Sequence, residues 1–125
     1  MKLEELKNEN QLMRIIQEIV PGKQVTMAHV ISSPNKVIYQ KLGLDPKINY
    51  NGAAIGILTM SPSESSIIAA DIAIKKASIE IGFIDRFSGT LIVTGRISDV
   101  TTALQAVLNY TESEMNFTVC NLTKA

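Results

Sequence analysis

The chain has 125 residues, enough for one compact domain with its own core and too few for two ordinary ones. Its twelve basic and twelve acidic residues balance to a formal net charge of zero, which argues against a general nucleic-acid binder because such proteins carry a basic excess to meet phosphate. One cysteine, Cys120, excludes an internal disulfide framework, and the absence of a signal peptide or of an apolar run of ~18 residues predicts a soluble cytosolic chain without membrane contact.

The N-terminal part predicts an arm, a short apolar segment and a strand. Residues 1–13 are polar and charged, which is typical of a flexible arm. Arg14–Val20 (RIIQEIV) is apolar and ends at a proline-glycine turn signal. Gln24–Ile31 (QVTMAHVI) alternates as a strand does. One face of this strand is expected to carry Val25, Met27, His29 and Ile31.

Serine residues mark the predicted helix starts. Ser33 is expected to cap a first helix with Pro34 at its first position, where a missing N–H costs nothing. Residues 45–52 form a polar loop after it. Ser61–Glu64 has the pattern of a capping box, again with a proline at the first helical position. Ser98 is expected to cap the last helix.

The strands and helices after residue 52 alternate in a recognisable order. The strands predicted there are Ala53–Met60, Ile79–Asp85, Leu91–Ile97 and Asn116–Leu122. With the two helices between them, the order is β-α-β-β-α-β, a ferredoxin-like arrangement preceded by an extra β-α unit. The predicted fold class is α+β, with an antiparallel-rich sheet and helices packed on it, in a single domain.

No group of residues with catalytic chemistry stands out in the sequence. The sole histidine, His29, lies in an apolar strand without the further ligands that a zinc site needs, so a partly buried, hydrogen-bonded histidine is expected. Cys120 is expected to be a small buried thiol. The glycines form no known phosphate-binding pattern. We therefore predict no catalytic residue, no cofactor and no metal site.

Two surface features have both a structural and a functional interpretation. Asp71 and Lys75 lie four residues apart on one helix face, as either a simple surface ion pair or a contact at an assembly edge. Arg86–Gly89 is a hairpin tip, in which Phe87 either folds back onto the core or lines the axis of a ring. The low charged fraction of 19% against 46% hydrophobic residues favours contact with other subunits.

Three separated motifs resemble one family. They are Val20–Ile31 (VPGKQVTMAHVI), Ala54–Pro62 (AIGILTMSP) and Ile81–Gly89 (IGFIDRFSG). Together they closely resemble the circularly permuted shell proteins of bacterial microcompartments, of the EutS and PduU type found in ethanolamine- and propanediol-utilisation organelles, with relatives in choline utilisation. The resemblance runs from about Arg14 to the C-terminus.

The resemblance implies a shell protein that is not an enzyme. Family members form cyclic hexamers that tile with other shell proteins into a polyhedral casing, so the implied partners are five further copies, other shell proteins and encapsulated enzymes, and the implied location is the bacterial microcompartment. The β-α-β-β-α-β order alone would make Asn116–Leu122 the fourth strand of the sheet. The resemblance gives that place to Gln24–Ile31 and leaves the C-terminal strand peripheral.

The resemblance also assigns roles to particular residues. Asp71 and Lys75 match the helix motif whose lysine lies at the edge where hexamers meet. The hairpin tip, with Arg86, Phe87, Ser88 and Gly89, matches the loop that surrounds the central pore. The segment that forms a six-stranded β-barrel cap over this pore corresponds to Arg14, Ile15, Ile16, Gln17, Glu18, Ile19 and Val20.

An alternative from another class is a small-molecule-sensing regulatory oligomer with a ferredoxin-like fold. Such a sensor has no reason to carry the PGKQVT and AHVI block ahead of its core. The block therefore favours the shell protein.

Overall fold

The computed structural model describes residues 22–44 and 53–125. The elements of this part, in chain order, are β1 (Gln24–Ile31), α1 (Lys36–Lys41), β2 (Ala54–Ser61), α2 (Ser65–Lys76), β3 (Glu80–Asp85), β4 (Thr90–Gly95), α3 (Ile97–Met115), β5 (Thr118–Val119) and β6 (Thr123–Lys124). The predicted arm over 1–13, the predicted barrel strand over 14–20 and the predicted loop over 45–52 lie outside the described residues.

The strands form one open sheet in the order β3-β4-β2-β1-β5, and β6 also pairs with β1. The pairs among β1 to β4 are antiparallel, whereas β5 and β6 run parallel to β1. The predicted α+β class with an antiparallel-rich sheet is confirmed for the described residues. β1 is the fourth strand and the C-terminal strands are peripheral, as the resemblance implied.

The predicted facing of β1 is wrong because the strand contains a β-bulge. Val25 pairs with Met60 but Met27 pairs with Thr59, so Thr26 is an extra residue on β1. One extra residue reverses the alternation of every side chain that follows. Val25 therefore shares the buried face with Ala28 and Val30. The other predicted members of that face, Met27, His29 and Ile31, point to the opposite side of the sheet.

The first predicted helix cap is also wrong. α1 begins after Asn35, whose side-chain Oδ1 accepts a hydrogen bond from the Val37 N–H at 3.0 Å. Ser33 and Pro34 lie before this cap. Asn35 takes the position because its short amide side chain reaches the N–H of Val37, one of the free N–H groups in the first turn of the helix.

The starts of α2 and α3 do not use the predicted serine caps either. α2 begins at Ser65, after Glu64, and its first N–H group donates instead to the backbone carbonyl of Pro62 at 2.9 Å. α3 begins after Arg96, without a side-chain cap, so Ser98 lies inside the helix. In α2 a backbone turn supplies the acceptor that the sequence pattern assigned to side chains.

The core lies mainly between the sheet and the two long helices. Residues of β1, β2 and β4 on one face of the sheet pack against α2 and α3. Gly56 on β2 lies where α3 approaches closely, since an added Cβ would stand 2.7 Å from Val100 Cγ1 and 3.0 Å from Leu104 Cδ1. On the other face, Tyr39 of α1 packs near Ile55 and donates a hydrogen bond to the Ala53 carbonyl at 2.9 Å.

The predicted C-terminal strand Asn116–Leu122 is wrong in its continuity. Asn116 ends α3 in the left-handed conformation, with φ of 59°, and the chain then forms two separate two-residue strands. β5 pairs with β1 before the bulge at Thr26, and β6 pairs with it after the bulge. The interrupted edge of β1 explains why one continuous strand does not form.

Candidate functional site

The outer face of α2 carries the ion pair that the spacing predicted. Lys75 Nζ lies 2.8 Å from Asp71 Oδ2, and 69% and 62% of the respective side chains are exposed. The hydrogen bond and the negative charge of Asp71 raise the pKa of Lys75. Because both groups face water, this pair adds little to the stability of the fold. Its charges remain available to another molecule.

Sequence analysis missed three isoleucines on the same helix. Ile67, Ile68 and Ile74 are all largely exposed. The buried face of α2 carries one isoleucine, Ile72, beside small residues that include Ala69 and Ala73. A helix with three further isoleucines on its exposed side has apolar surface that its own core does not use, which is typical of a contact between proteins. The signal was present in the sequence as apolar residues on both faces of one helix.

The hairpin tip between β3 and β4 is held by the carboxylate of Asp85. Asp85 Oδ1 accepts a hydrogen bond from the Phe87 N–H at 2.8 Å, and Oδ2 accepts one from Ser88 Oγ at 2.9 Å. These two bonds lower the pKa of Asp85. The Gly89 N–H donates to the Asp85 carbonyl at 2.9 Å. Asp85 was not among the predicted site residues, although an aspartate that opens a turn is a known signal.

The same tip presents an aromatic ring and a cation to the surface. Phe87 is 80% exposed, so the interpretation in which it folds back onto the core is wrong. The Arg86 guanidinium lies over the Phe87 ring, 5.0 Å from its centre. Beside them is a surface hollow of about 300 Å³, which is lined by Ile67, Ile84, Asp85, Arg86 and Phe87. The four predicted tip residues, Arg86, Phe87, Ser88 and Gly89, are thus brought together in one turn.

The structure keeps the tip and the ion pair apart. Ile67, near the start of α2, lines the hollow at the tip, whereas Lys75 lies eight residues further along the helix. At the rise of an α-helix this separation is about 12 Å. The tip therefore adjoins the start of α2 and Lys75 lies near its end, while Asp71, one turn after Ile67, lies between the two candidate surfaces.

His29 and Cys120 are both partly buried near the C-terminal strands. His29 is partly buried and its Nδ1 is hydrogen-bonded to Thr123 Oγ1, as predicted. Cys120 is only partly buried, and desolvation raises the pKa of its thiol, which disfavours the reactive thiolate. Within residues 22–44 and 53–125, no three His, Cys, Asp or Glu side chains lie close enough to hold a metal ion. The helices of this same part include none with the length and apolar character needed to cross a membrane.

The described residues form a small α+β domain with an exposed hairpin tip and an exposed, partly apolar helix face. The family model of the BMC domain matches residues 54–122. The microcompartment shell protein PduU of Salmonella typhimurium is 51% identical over 111 residues, which cover 89% of this chain and 92% of PduU. The shell protein EutS of the same organism is 46% identical over 112 residues, covering 90% and 96%.

A solved structure agrees with these relatives. The chain titled CutR flat hexamer, form 1, matches with a TM-score of 0.77 and 43% identity over 85% of this chain and 94% of that one. The protein described here belongs to the bacterial microcompartment shell protein family. The predicted location in the microcompartment shell is confirmed by this membership. Shell-protein relatives also favour the shell interpretation over a small-molecule sensor.

Proposed function

We propose that the chain is a non-enzymatic tile of a microcompartment shell, which closes into a cyclic homohexamer and packs edge to edge with other shell proteins. The observation that carries this proposal is the similarity to CutR, whose structure is titled a flat hexamer. The exposed surfaces along α2 support it. A shell built of hexamers needs contacts between the subunits of one hexamer and further contacts between neighbouring hexamers. The relatives belong to compartments for propanediol, ethanolamine and choline utilisation, and we propose a compartment of this general kind. We propose the enzymes enclosed in it as further partners.

Circular permutation is part of the proposal. The family model begins at residue 54, so β1 and α1 precede the matched region. β1 nevertheless belongs to the sheet, where it is hydrogen-bonded to β2 and followed only by the short strands β5 and β6. A strand that comes before the family's first element and still belongs to its sheet is what a permuted chain would produce.

The two surfaces receive different roles in this assembly. We propose that the hairpin tip Arg86–Gly89 lies near the sixfold axis, where six copies of Arg86 and the exposed Phe87 would narrow the pore. Asp71 and Lys75, at the other end of α2, would then lie toward the rim. Residues 14–20 are proposed to form the barrel that caps the axis, because closure of six such strands removes their unpaired edges.

The native mass in solution tests the hexamer. A hexamer is expected at six times the 13.6 kDa mass of one chain, about 82 kDa. Native mass spectrometry or light scattering provides the measurement, at several protein concentrations because assembly follows mass action. Two or three subunits would contradict the tile and support the sensor.

Deletion of residues 1–20 tests the cap. The truncated chain is expected to remain hexameric, because the contacts proposed for the ring lie in the described domain, and to have an open axis. Cryo-electron microscopy of both proteins compares the density over the pore. A truncated hexamer whose axis is as closed as that of the full chain would contradict the cap, and a truncated monomer would instead make this segment an assembly element.

A further inference from the structure

The hollow beside the hairpin tip lies on an open flank of the sheet. Among the described strands, β3 is at the edge and pairs with β4 alone. The hollow is lined by Ile84 of this strand, Ile67 of α2 and the tip residues Asp85, Arg86 and Phe87. Ile67 and Ile84 are 51% and 41% exposed, so the described part of the chain leaves this apolar surface largely uncovered. We call these five residues the tip flank.

Arg86 gives the tip flank a positive charge that is held in place. Its guanidinium lies over the Phe87 ring, and neither of the two ion pairs among the described residues includes it. The neighbouring carboxylate of Asp85 is engaged by the tip itself, through the Phe87 N–H and the Ser88 hydroxyl. A guanidinium presents five N–H donors in a fixed plane, which suits a carboxylate from another molecule. Because the ring already holds Arg86, little side-chain freedom is left to lose on pairing.

The C-terminal end of α3 carries the opposite charge. Its last turn contains Glu112 and Glu114, both exposed, and no basic residue. Carboxylates at this end of a helix lie near the negative pole of its dipole, which is unfavourable unless a cation is close. Neither glutamate belongs to an ion pair within residues 22–44 and 53–125. The described residues therefore do not supply the cation that would stabilise this helix end.

The tip and the end of α3 lie at the same end of the sheet, on opposite flanks. The Met60 N–H donates to the Gly89 carbonyl at 2.9 Å, which places the end of β2 beside the tip. Gln24, at the start of β1, pairs with Ser61 on one side and with Thr118, just after α3, on the other. From β4 to β5 there are three strand spacings, or about 14 Å.

Two surfaces of opposite charge on opposite flanks are suited to a head-to-tail contact. A twofold contact through either surface would oppose like charges, which is unfavourable. A head-to-tail contact pairs the basic surface of one copy with the acidic surface of the next. Such a contact repeats in one direction around an axis and forms a ring when the rotation closes.

We propose that the tip flank docks the C-terminal end of α3 of the next copy in the ring, with Arg86 pairing with Glu112 and Glu114 of that copy. This inference rests on the proposed hexamer and adds to it the residues that join its subunits. Around the sixfold axis, the contact forms a closed ring of alternating charges. It supplies the cation for the helix end and covers the exposed isoleucines of the tip flank.

A mixture of two charge-reversed chains tests the contact. Arg86→Glu makes both surfaces acidic, and Glu112→Lys combined with Glu114→Lys makes both basic. Each of these chains alone is expected to need a roughly tenfold higher protein concentration than the wild type for half of it to assemble. In an equimolar mixture every contact is complementary if the two chains alternate. Native mass spectrometry should therefore show hexamers that contain three copies of each chain.

Arg96→Glu is the matched control for the reversed arginine. The Arg96 side chain is 87% exposed and follows the end of β4 remote from the tip, so this variant should assemble like the wild type. Reversed chains that assemble like the wild type, or a mixture without the three-to-three hexamer, overturn the inference. A wild-type chain with only two or three subunits overturns the proposed function instead.

A zero-length crosslink gives a second measurement that needs no charge reversal. In Arg86→Lys, a carbodiimide activates a carboxylate and the new amine displaces the activating group to form an amide. Peptide mass spectrometry of the covalent dimer is expected to show a link from position 86 to position 112 or 114. Glu112→Gln combined with Glu114→Gln should remove this link, and Arg96→Lys should not form it. Absence of the link in intact hexamers of Arg86→Lys overturns the inference.

Discussion

Gly89→Ala is expected to give the largest loss of stability among glycine-to-alanine changes at the positions that the structure describes. Gly89 has φ of 76°, and a Cβ built on it would stand 2.2 Å from the carbonyl oxygen of Met60. That oxygen belongs to backbone, so the tip itself must move, and the hydrogen bond from the Met60 N–H to the Gly89 carbonyl at 2.9 Å is disturbed with it. Strain of about 1–3 kcal/mol and about 1 kcal/mol for the hydrogen bond predict a loss of roughly 2–4 kcal/mol.

Two other glycines separate the causes of this loss. Gly43 also has positive φ, at 69°, but an added Cβ meets nothing within 4 Å, so Gly43→Ala carries the backbone strain alone. Gly22→Ala carries neither strain nor contact. Urea unfolding at one protein concentration should therefore rank the three variants Gly89, Gly43 and Gly22 from most to least destabilised. Equal losses at Gly89 and Gly43 would contradict the contact with Met60.

Gly56→Ala is expected to lower the free energy of unfolding by about 1–3 kcal/mol through overpacking. The added Cβ would stand 2.7 Å from Val100 Cγ1 and 2.9 Å from Val93 Cγ2, and both side chains are fully buried. A fully buried neighbour in a dense core has little room to withdraw. The methyl group therefore pushes α3 away from the sheet.

A double-mutant cycle with Val100→Ala tests this cause. Val100→Ala alone leaves a cavity and is destabilising. Together with Gly56→Ala, the new methyl group enters part of that cavity, so the double variant should be more stable than the sum of the two single losses predicts, by at least about 0.5 kcal/mol. The measurement is urea unfolding of all four proteins at matched concentration. Strict additivity would contradict the close packing of α3 on Gly56.

The strands could be predicted from the sequence because their apolar patterns are local. β1 has the predicted bounds, Gln24–Ile31, and the later strands follow from apolar runs and turn residues. The facing of β1 could not be predicted, because the bulge at Thr26 depends on pairing with β2 and leaves no mark in the alternation. The serine caps failed for a related reason, since the pattern cannot tell whether a side chain or a preceding backbone turn supplies the acceptor.

The candidate surfaces were predictable to different degrees. The Asp71–Lys75 pair follows from helical spacing alone, and its contact at 2.8 Å confirms the pairing while its role at a rim remains a proposal. The exposure of Phe87 could not be predicted, because an aromatic residue at a hairpin tip either folds inward or stays out depending on tertiary contacts. Ile74 was missed because isoleucine is ordinarily assigned to a core, and here the buried face of α2 holds Ile72 and small residues while Ile74 stays outside.

The pairing of β5 and β6 with β1 has a consequence for how a shell of such hexamers would grow. The N–H groups of Cys120 and Ala125 donate to carbonyls of β1, and the Thr118 N–H donates to the carbonyl of Lys23 just before this strand. In the proposed shell, two hexamers that meet on this side would find no free edge of β1 to pair through. Contacts between them would be made by side chains, which are individually weak, so a misplaced hexamer could leave and rebind.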